Sequence, residues 1–162
     1  ILAIPEPGYF VVNNDRLLQT REGWLLIPAA RSIDARYHCV STCFVSDDEG
    51  RTWQRRAPYL DLPGSAVGLQ EPGIVECADG TLWMYMRTDR GCIYASRSAD
   101  GGESWSAPEP TTLVAPVAPA SARRLPGSDE ILILYNDRRR VPYSPDRGTE
   151  PGEGTAPGGQ LR

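Results

Sequence analysis

Two octets decide the fold: SDDEGRTW at residues 46–53 and SADGGESW at residues 98–105. Both spell Ser-x-Asp-x-Gly-x-x-Trp, and their serines stand 52 positions apart. Elementary chemistry explains all four shared residues at a hairpin. Asp accepts hydrogen bonds from nearby backbone N–H groups and fixes the turn, and Ser does the same more weakly. Gly takes a positive φ that a side chain would penalise. Trp folds back as an apolar plug on the neighbouring strand. The octets therefore predict structural turns built by Ser46, Asp48, Gly50 and Trp53, and by Ser98, Asp100, Gly102 and Trp105. A calcium-binding reading is weaker. Asp47, Asp48 and Glu49 are adjacent in the first copy, but the second copy carries a lone carboxylate until Glu103.

Working outward, short apolar runs flank each octet. They are GYFVV at 8–12, GWLLIP at 23–28, CVSTCFVS at 39–46, GIVEC at 73–77, LWMYMR at 82–87, CIYASRS at 92–98 and EILILYN at 130–136. Each is short and rich in Val, Ile, Tyr and Trp, and none carries a helical stripe, which predicts an all-β protein. Glu22-Gly23, Asp79-Gly80, Asp89-Arg90-Gly91 and Gly127-Ser128-Asp129 mark the turns. Before the first octet, a loop over ARSIDARYH (30–38) is expected between the second and third strands. A third copy starts at SARRLPGSDEILILYNDRR. A unit of about four strands repeating every 45 to 50 residues or so predicts β-propeller blades. Residues 1–146 thus read as about two and a half blades. The Gly- and Pro-rich stretch 147–162 has almost nothing to bury and is expected to be disordered.

Composition narrows the function classes. With 17 basic and 21 acidic residues the formal net charge is −4, a poor match for nucleic acid. No apolar run reaches the length of a membrane-spanning helix. Cys39, Cys43, Cys77 and Cys92 form no CxxC pair and there is one His, so neither zinc nor disulfides are expected. The start ILAIPEPGYF has no Met and no basic signal-peptide region, so the chain reads as an interior piece of something longer.

The octets resemble the Asp-box, or bacterial neuraminidase repeat, of sialidases. The stretch LQEPGIVECADGTLWMYMRTDRGCIYASRSADGGESW (69–105) resembles a sialidase blade in which a Glu opens the first strand, an Arg closes the second and an Asp-box follows. From about Tyr9 to Asp137 the chain resembles sialidase-like predicted neuraminidases. The resemblance implies part of a six-bladed propeller and a retaining exo-sialidase acting on a sialylated or other acidic glycan. Glu71 matches the family's base and Arg87 one arginine of its carboxylate-binding triad. A fork of Arg N–H groups suits the sialic acid carboxylate. The family uses a Tyr nucleophile, a weak one at neutral pH that needs a base beside it, and a separate Asp serves as acid/base. No metal or organic cofactor is implied.

Around that pair, Gln70 and Asp89 are expected to line the site, and Asn136 and Asp137 to reach the same mouth from the third blade. Arg90 is expected in solvent and His38 in a packed or solvated role. Trp83 and Tyr85, alternating with Met84 and Met86, are expected to be strand packing and not a sugar platform. The nucleophilic Tyr, the acid Asp and the remaining arginines match no motif in this sequence. Tyr135 and Tyr143 stand outside the family's context. The expectation is a chain inactive without the missing blades of its parent. Two alternatives stay open: a carbohydrate-binding propeller without catalysis, and a propeller hydrolase or lyase acting on another acidic sugar.

Overall fold

A computed structural model describes residues 6–137 and Arg139. The expected tail at 147–162 and Tyr143 lie outside the described residues. The described part is built from antiparallel sheets, as the alternating apolar runs predict.

The first sheet contains β1 (Phe10–Val11), β2 (Leu18–Gln19), β3 (Leu25–Ser32), β4 (Cys39–Ser46) and β5 (Gln54–Arg55). β1 and β2 both pair with β3, so four strand positions lie side by side. The second sheet runs β6 (Gln70–Glu76), β7 (Leu82–Arg87), β8 (Cys92–Ser98) and β9 (Glu109–Val114) in chain order. β10 (Ser121–Arg124) and β11 (Ile131–Leu134) form the third sheet.

β3 is longer than its sequence suggested. It continues through Ser32, so the loop to β4 occupies only 33–38 and not 30–38. Pro28 sits in the stretch of β3 between the parts paired with β2 and β1. A missing N–H is tolerated there, because no strand lies on that side. The expected turns are all present, with Gly23, Gly80, Gly91 and Gly127 at φ between +72° and +91°.

Period-2 alternation in β7 accounts for the packing of the three sheets. Leu82, Met84 and Met86 point one way and join Leu26, Cys43 and Val45 of the first sheet, with Leu69 and Ile74, in one core. Trp83 and Tyr85 point the other way and join Val75, Ile93, Ala115, Ala120 and Ala122 in a second core toward the third sheet. The second sheet is thus apolar on both faces. Trp83 and Tyr85 are core residues, as their alternation predicts, with ring centroids 5.3 Å apart. The four cysteines are free thiols.

The two octets fold alike. Ser46 Oγ donates to Asp48 Oδ1 at 2.8 Å and accepts from Gly50 N at 2.8 Å. Thr52 donates its N–H to Asp48 Oδ1 and its hydroxyl to Oδ2, at 2.9 and 2.7 Å. In the second copy Ser98, Asp100, Gly102 and Ser104 repeat all four bonds at 2.5 to 2.9 Å. The hydroxyl before each Trp is therefore a fifth member of the motif, one not singled out in the sequence. Trp53 Nε1 donates to Gly50 O at 3.1 Å, whereas Trp105 Nε1 is buried with no partner. Arg56 ties the copies together, with Nη2 2.6 Å from Asp47 and Nη1 3.1 Å from Glu103. Among the described residues no helix is long and apolar enough to cross a membrane.

Candidate functional site

The second octet and the Glu71–Arg87 pair occupy opposite ends of the second sheet. Leu82 pairs with Ser98 at one end, and Gln70 pairs with Arg87 at the other. The ladder between β6 and β7 then skips. Gln70 faces Arg87 and Gly73 faces Tyr85, so Glu71 and Pro72 together oppose Met86 alone. This two-against-one arrangement is a β-bulge, a device that bends a strand and re-aims a side chain. Glu71 pays for it with φ +47°, a left-handed backbone that a non-glycine residue adopts at a cost of about 1–3 kcal/mol.

The bulge turns the Glu71 carboxylate onto Arg87. Its Oε2 lies 3.2 Å from Arg87 Nε, and both side chains are about one-fifth exposed. The contact is an ion pair without hydrogen-bond alignment. Both atoms are shielded from solvent, and neither has a hydrogen-bond partner. Buried polar atoms left short of partners are rare enough to need a reason, and a ligand site is one. Arg87 Nη2 donates to Gln70 Oε1. Gln70 Nε2 in turn donates to Tyr37 O at 3.4 Å, linking the pair to the loop between β3 and β4. Gln70, Glu71 and Arg87 are therefore brought together, with Cys39 Sγ 3.9 Å from Gln70 Nε2. Burial pushes the Cys39 thiol up, against the hydrogen bond from Gln70.

The other expected residues, Asp89, Asn136 and Asp137, follow the ends of β7 and β11. Asp89 accepts from Ser65 Oγ at 2.5 Å and from Ala66 N at 2.9 Å, so it fastens the connection that leads into β6. Burial opposes its charge, but those bonds outweigh burial and hold its carboxyl below the ordinary range. Asn136 and Asp137 follow β11 as Arg87 closes β7, at the matching end of the third sheet. Asn136 is exposed, and Asp137 takes the N–H, Nε and Nη2 of Arg139 at 2.8 to 3.0 Å. Arg90 is exposed and reaches Gly64 O. His38 Nε2 donates to Asp61 Oδ1 at 2.7 Å. Tyr135 Oη lies 3.3 Å from Arg139 Nη2.

One buried cation escaped the sequence reading. Arg16, in Asn14-Asp15-Arg16, hydrogen-bonds through Nη1 to Tyr85 Oη and through Nη2 to Ala120 O at 2.6 Å. Tyr85 Oη also accepts from Ala122 N at 2.9 Å. All three sheets meet there. The signal was Gly73 within a strand, which marks close approach of another group. A Cβ on Gly73 would lie 2.2 Å from the Tyr85 ring and 2.6 Å from Arg16 Nη1.

Against known proteins, the model of the BNR repeat-like domain matches residues 9–148. The chain belongs to the BNR repeat-like family. The anhydrosialidase of Macrobdella decora is 44% identical to this BNR protein over 64 residues, 38% of this chain and 8% of that protein. The leech intramolecular trans-sialidase in complex with 2,7-anhydro-Neu5Ac superposes with a TM-score of 0.60 at 28% identity, over 77% of this chain and 19% of its own. A Hadza microbial sialidase matches at TM-score 0.61 and 24% identity, over 76% of this chain and 25% of its own. The fold of this BNR chain is the β-propeller-like fold of the sialidase family of glycoside hydrolases, and the chain spans a third or less of each relative.

Proposed function

We propose that this chain is part of a six-bladed propeller that cleaves terminal sialic acid from glycoconjugates with retention. In this reading Arg87 binds the sialic acid carboxylate and Glu71 activates a tyrosine nucleophile supplied by the rest of the propeller. The observation that carries it is the bulge. A strained backbone aims Glu71 at Arg87, and both are left with unsatisfied buried atoms. An incoming carboxylate would take up the Arg87 donors with two charge-assisted bonds. Gln70 orients the guanidinium from the other side. The described sheets are two blades and the start of a third, and the missing blades are the partner they need. The chemistry calls for no metal or cofactor.

The binding-only alternative has one observation in its favour. Among the described residues no tyrosine hydroxyl hydrogen-bonds to Glu71, so Arg87 could hold an acidic sugar without catalysis. The two readings share Arg87 and differ in Glu71. Titration with N-acetylneuraminic acid, followed by NMR, tests the shared part: Arg87→Ala should abolish binding. Unchanged binding in a folded variant would remove Arg87 from the site under both readings.

A further inference from the structure

We infer that a cavity between the β1–β2 connection and the third sheet is a site for a small hydroxylated carboxylate held by Arg16. The cavity is open, measures about 500 Å³, and has Asn13, Asn14, Arg16, Pro119, Ser121 and Leu134 in its lining. It shares no lining residue with the Gln70–Glu71–Arg87 group, so the inference stands apart from the proposed function.

The charge on Arg16 is the decisive observation. The residue is only 9% exposed, and a guanidinium does not shed its proton on burial. Tyr85 Oη and the Ala120 carbonyl take two of its five N–H donors, and the Tyr85 ring centroid lies 5.4 Å from its Cζ. All of these partners are neutral. Among the described residues no carboxylate pairs with Arg16, whereas Arg55, Arg56 and Arg87 each meet one. The neighbouring Asp15 turns away, with Oδ2 2.5 Å from Arg123 Nη2. Neutral oxygens and a ring face lessen the cost of a buried cation but leave its charge unmatched. An anion entering the cavity would match it.

Charge balance and lining select the class of ligand. One positive charge is matched by one carboxylate, which guanidinium N–H groups bind through charge-assisted hydrogen bonds. A phosphate dianion would leave a surplus negative charge in the same place. The side chains of Asn13, Asn14 and Ser121 make no hydrogen bond to the described residues. Two amides and a hydroxyl are therefore free to donate to and accept from hydroxyl groups on the ligand. Pro119 and Leu134, the latter 63% exposed, offer apolar surface to its C–H groups. A compact molecule with one carboxylate and several hydroxyls, such as a hexuronic acid, answers all three features.

Titration of the 162-residue chain with D-glucuronate, D-glucose and inorganic phosphate, followed by NMR, tests the inference. The expected result is a saturable glucuronate shift of the backbone amides of Asn13, Asn14, Arg16 and Ser121, a weaker response to phosphate and none to glucose. Arg16→Gln removes the charge and should weaken glucuronate by at least about tenfold. Arg16 also joins three sheets, so Ser121→Phe serves as a second variant. Ser121 is exposed at the cavity wall, and a ring there obstructs the cavity without entering the core. This variant should abolish the shifts in a chain that keeps its fold. Shifts confined to Gln70, Glu71 and Arg87 would overturn this site while sustaining the proposed acidic one. Glucose or phosphate binding as tightly as glucuronate would overturn the carboxylate assignment. Undiminished binding by a folded Arg16→Gln, or no shift near Arg16 with any of the three probes, would overturn the site itself.

Discussion

The Glu71 carboxylate meets the Arg87 guanidinium at 3.2 Å across a bulge whose backbone is strained to bring them together. An ion pair placed only for stability would not need that strain. Two residues opposing one in the ladder turn Glu71 out of strand register, and Pro72 and Gly73 then return the chain to pairing. The cost and the geometry both fall on the residues that the family resemblance assigns to chemistry.

The junction under the bulge makes the first prediction. Gly73→Ala would drive a methyl group into Tyr85 and Arg16. Overpacking of this kind should destabilise the fold by about 3 kcal/mol in urea titrations. Gly80→Ala has open space around it and a positive φ, so it should cost only about 1 kcal/mol.

Tyr85 is the second target. Its hydroxyl receives Arg16 Nη1 and Ala122 N in a buried setting. Tyr85→Phe would leave both donors unsatisfied and should cost about 2 kcal/mol by the same titration. Met84→Ala, on the opposite face of β7, should cost about 3 kcal/mol through an unfilled cavity between the first two sheets.

These positions show what the sequence could disclose. The octets and the Asp79-Gly80 turn were legible because every bond in them lies within a few residues. The two faces of β7 were legible because alternation is a local pattern. Glu71's left-handed φ was not, since a bulge depends on how β6 counts against β7. Arg16 was hidden for a related reason: its partners Tyr85 and Ala120 stand 69 and 104 residues away. Arg56, bridging Asp47 and Glu103, likewise has no local signature. The candidate site was half legible, since the family resemblance marked Glu71 and Arg87 as candidates while the contact of Gln70 with Arg87 required the register.

The octets should give the fold its acid sensitivity. The Thr52 N–H and hydroxyl hold Asp48 down to about 2, and the Ser104 hydroxyl and N–H do the same for Asp100, both from an ordinary 3.8. A depressed folded value means that the stabilisation is complete above about pH 4 and fades as pH falls toward 2. Thermal melts from pH 6 to pH 2 should show that decline. The Asp48→Asn/Asp100→Asn double variant should be less stable at pH 6 and lose less on acidification.

His38 should act in the opposite sense. The hydrogen bond to Asp61 raises its value above the ordinary 6.5, against partial burial. Its contribution is present below pH 6.5 and is lost as pH rises through the raised folded value. Melting temperatures should therefore fall on passing from pH 6 to pH 8, and Asp61→Asn should flatten that step. An unchanged step in Asp61→Asn would show that the pair does not contribute.

The central claim is chemical, and release of a fluorophore from a sialic acid glycoside tests it most directly. The assay uses the full-length protein that contains these blades, as wild type and as Glu71→Gln, with folding checked by circular dichroism. The account predicts measurable release by wild type and a loss of at least about a hundredfold in the folded variant. Undiminished release by Glu71→Gln, or none from a well-folded wild type, would contradict it.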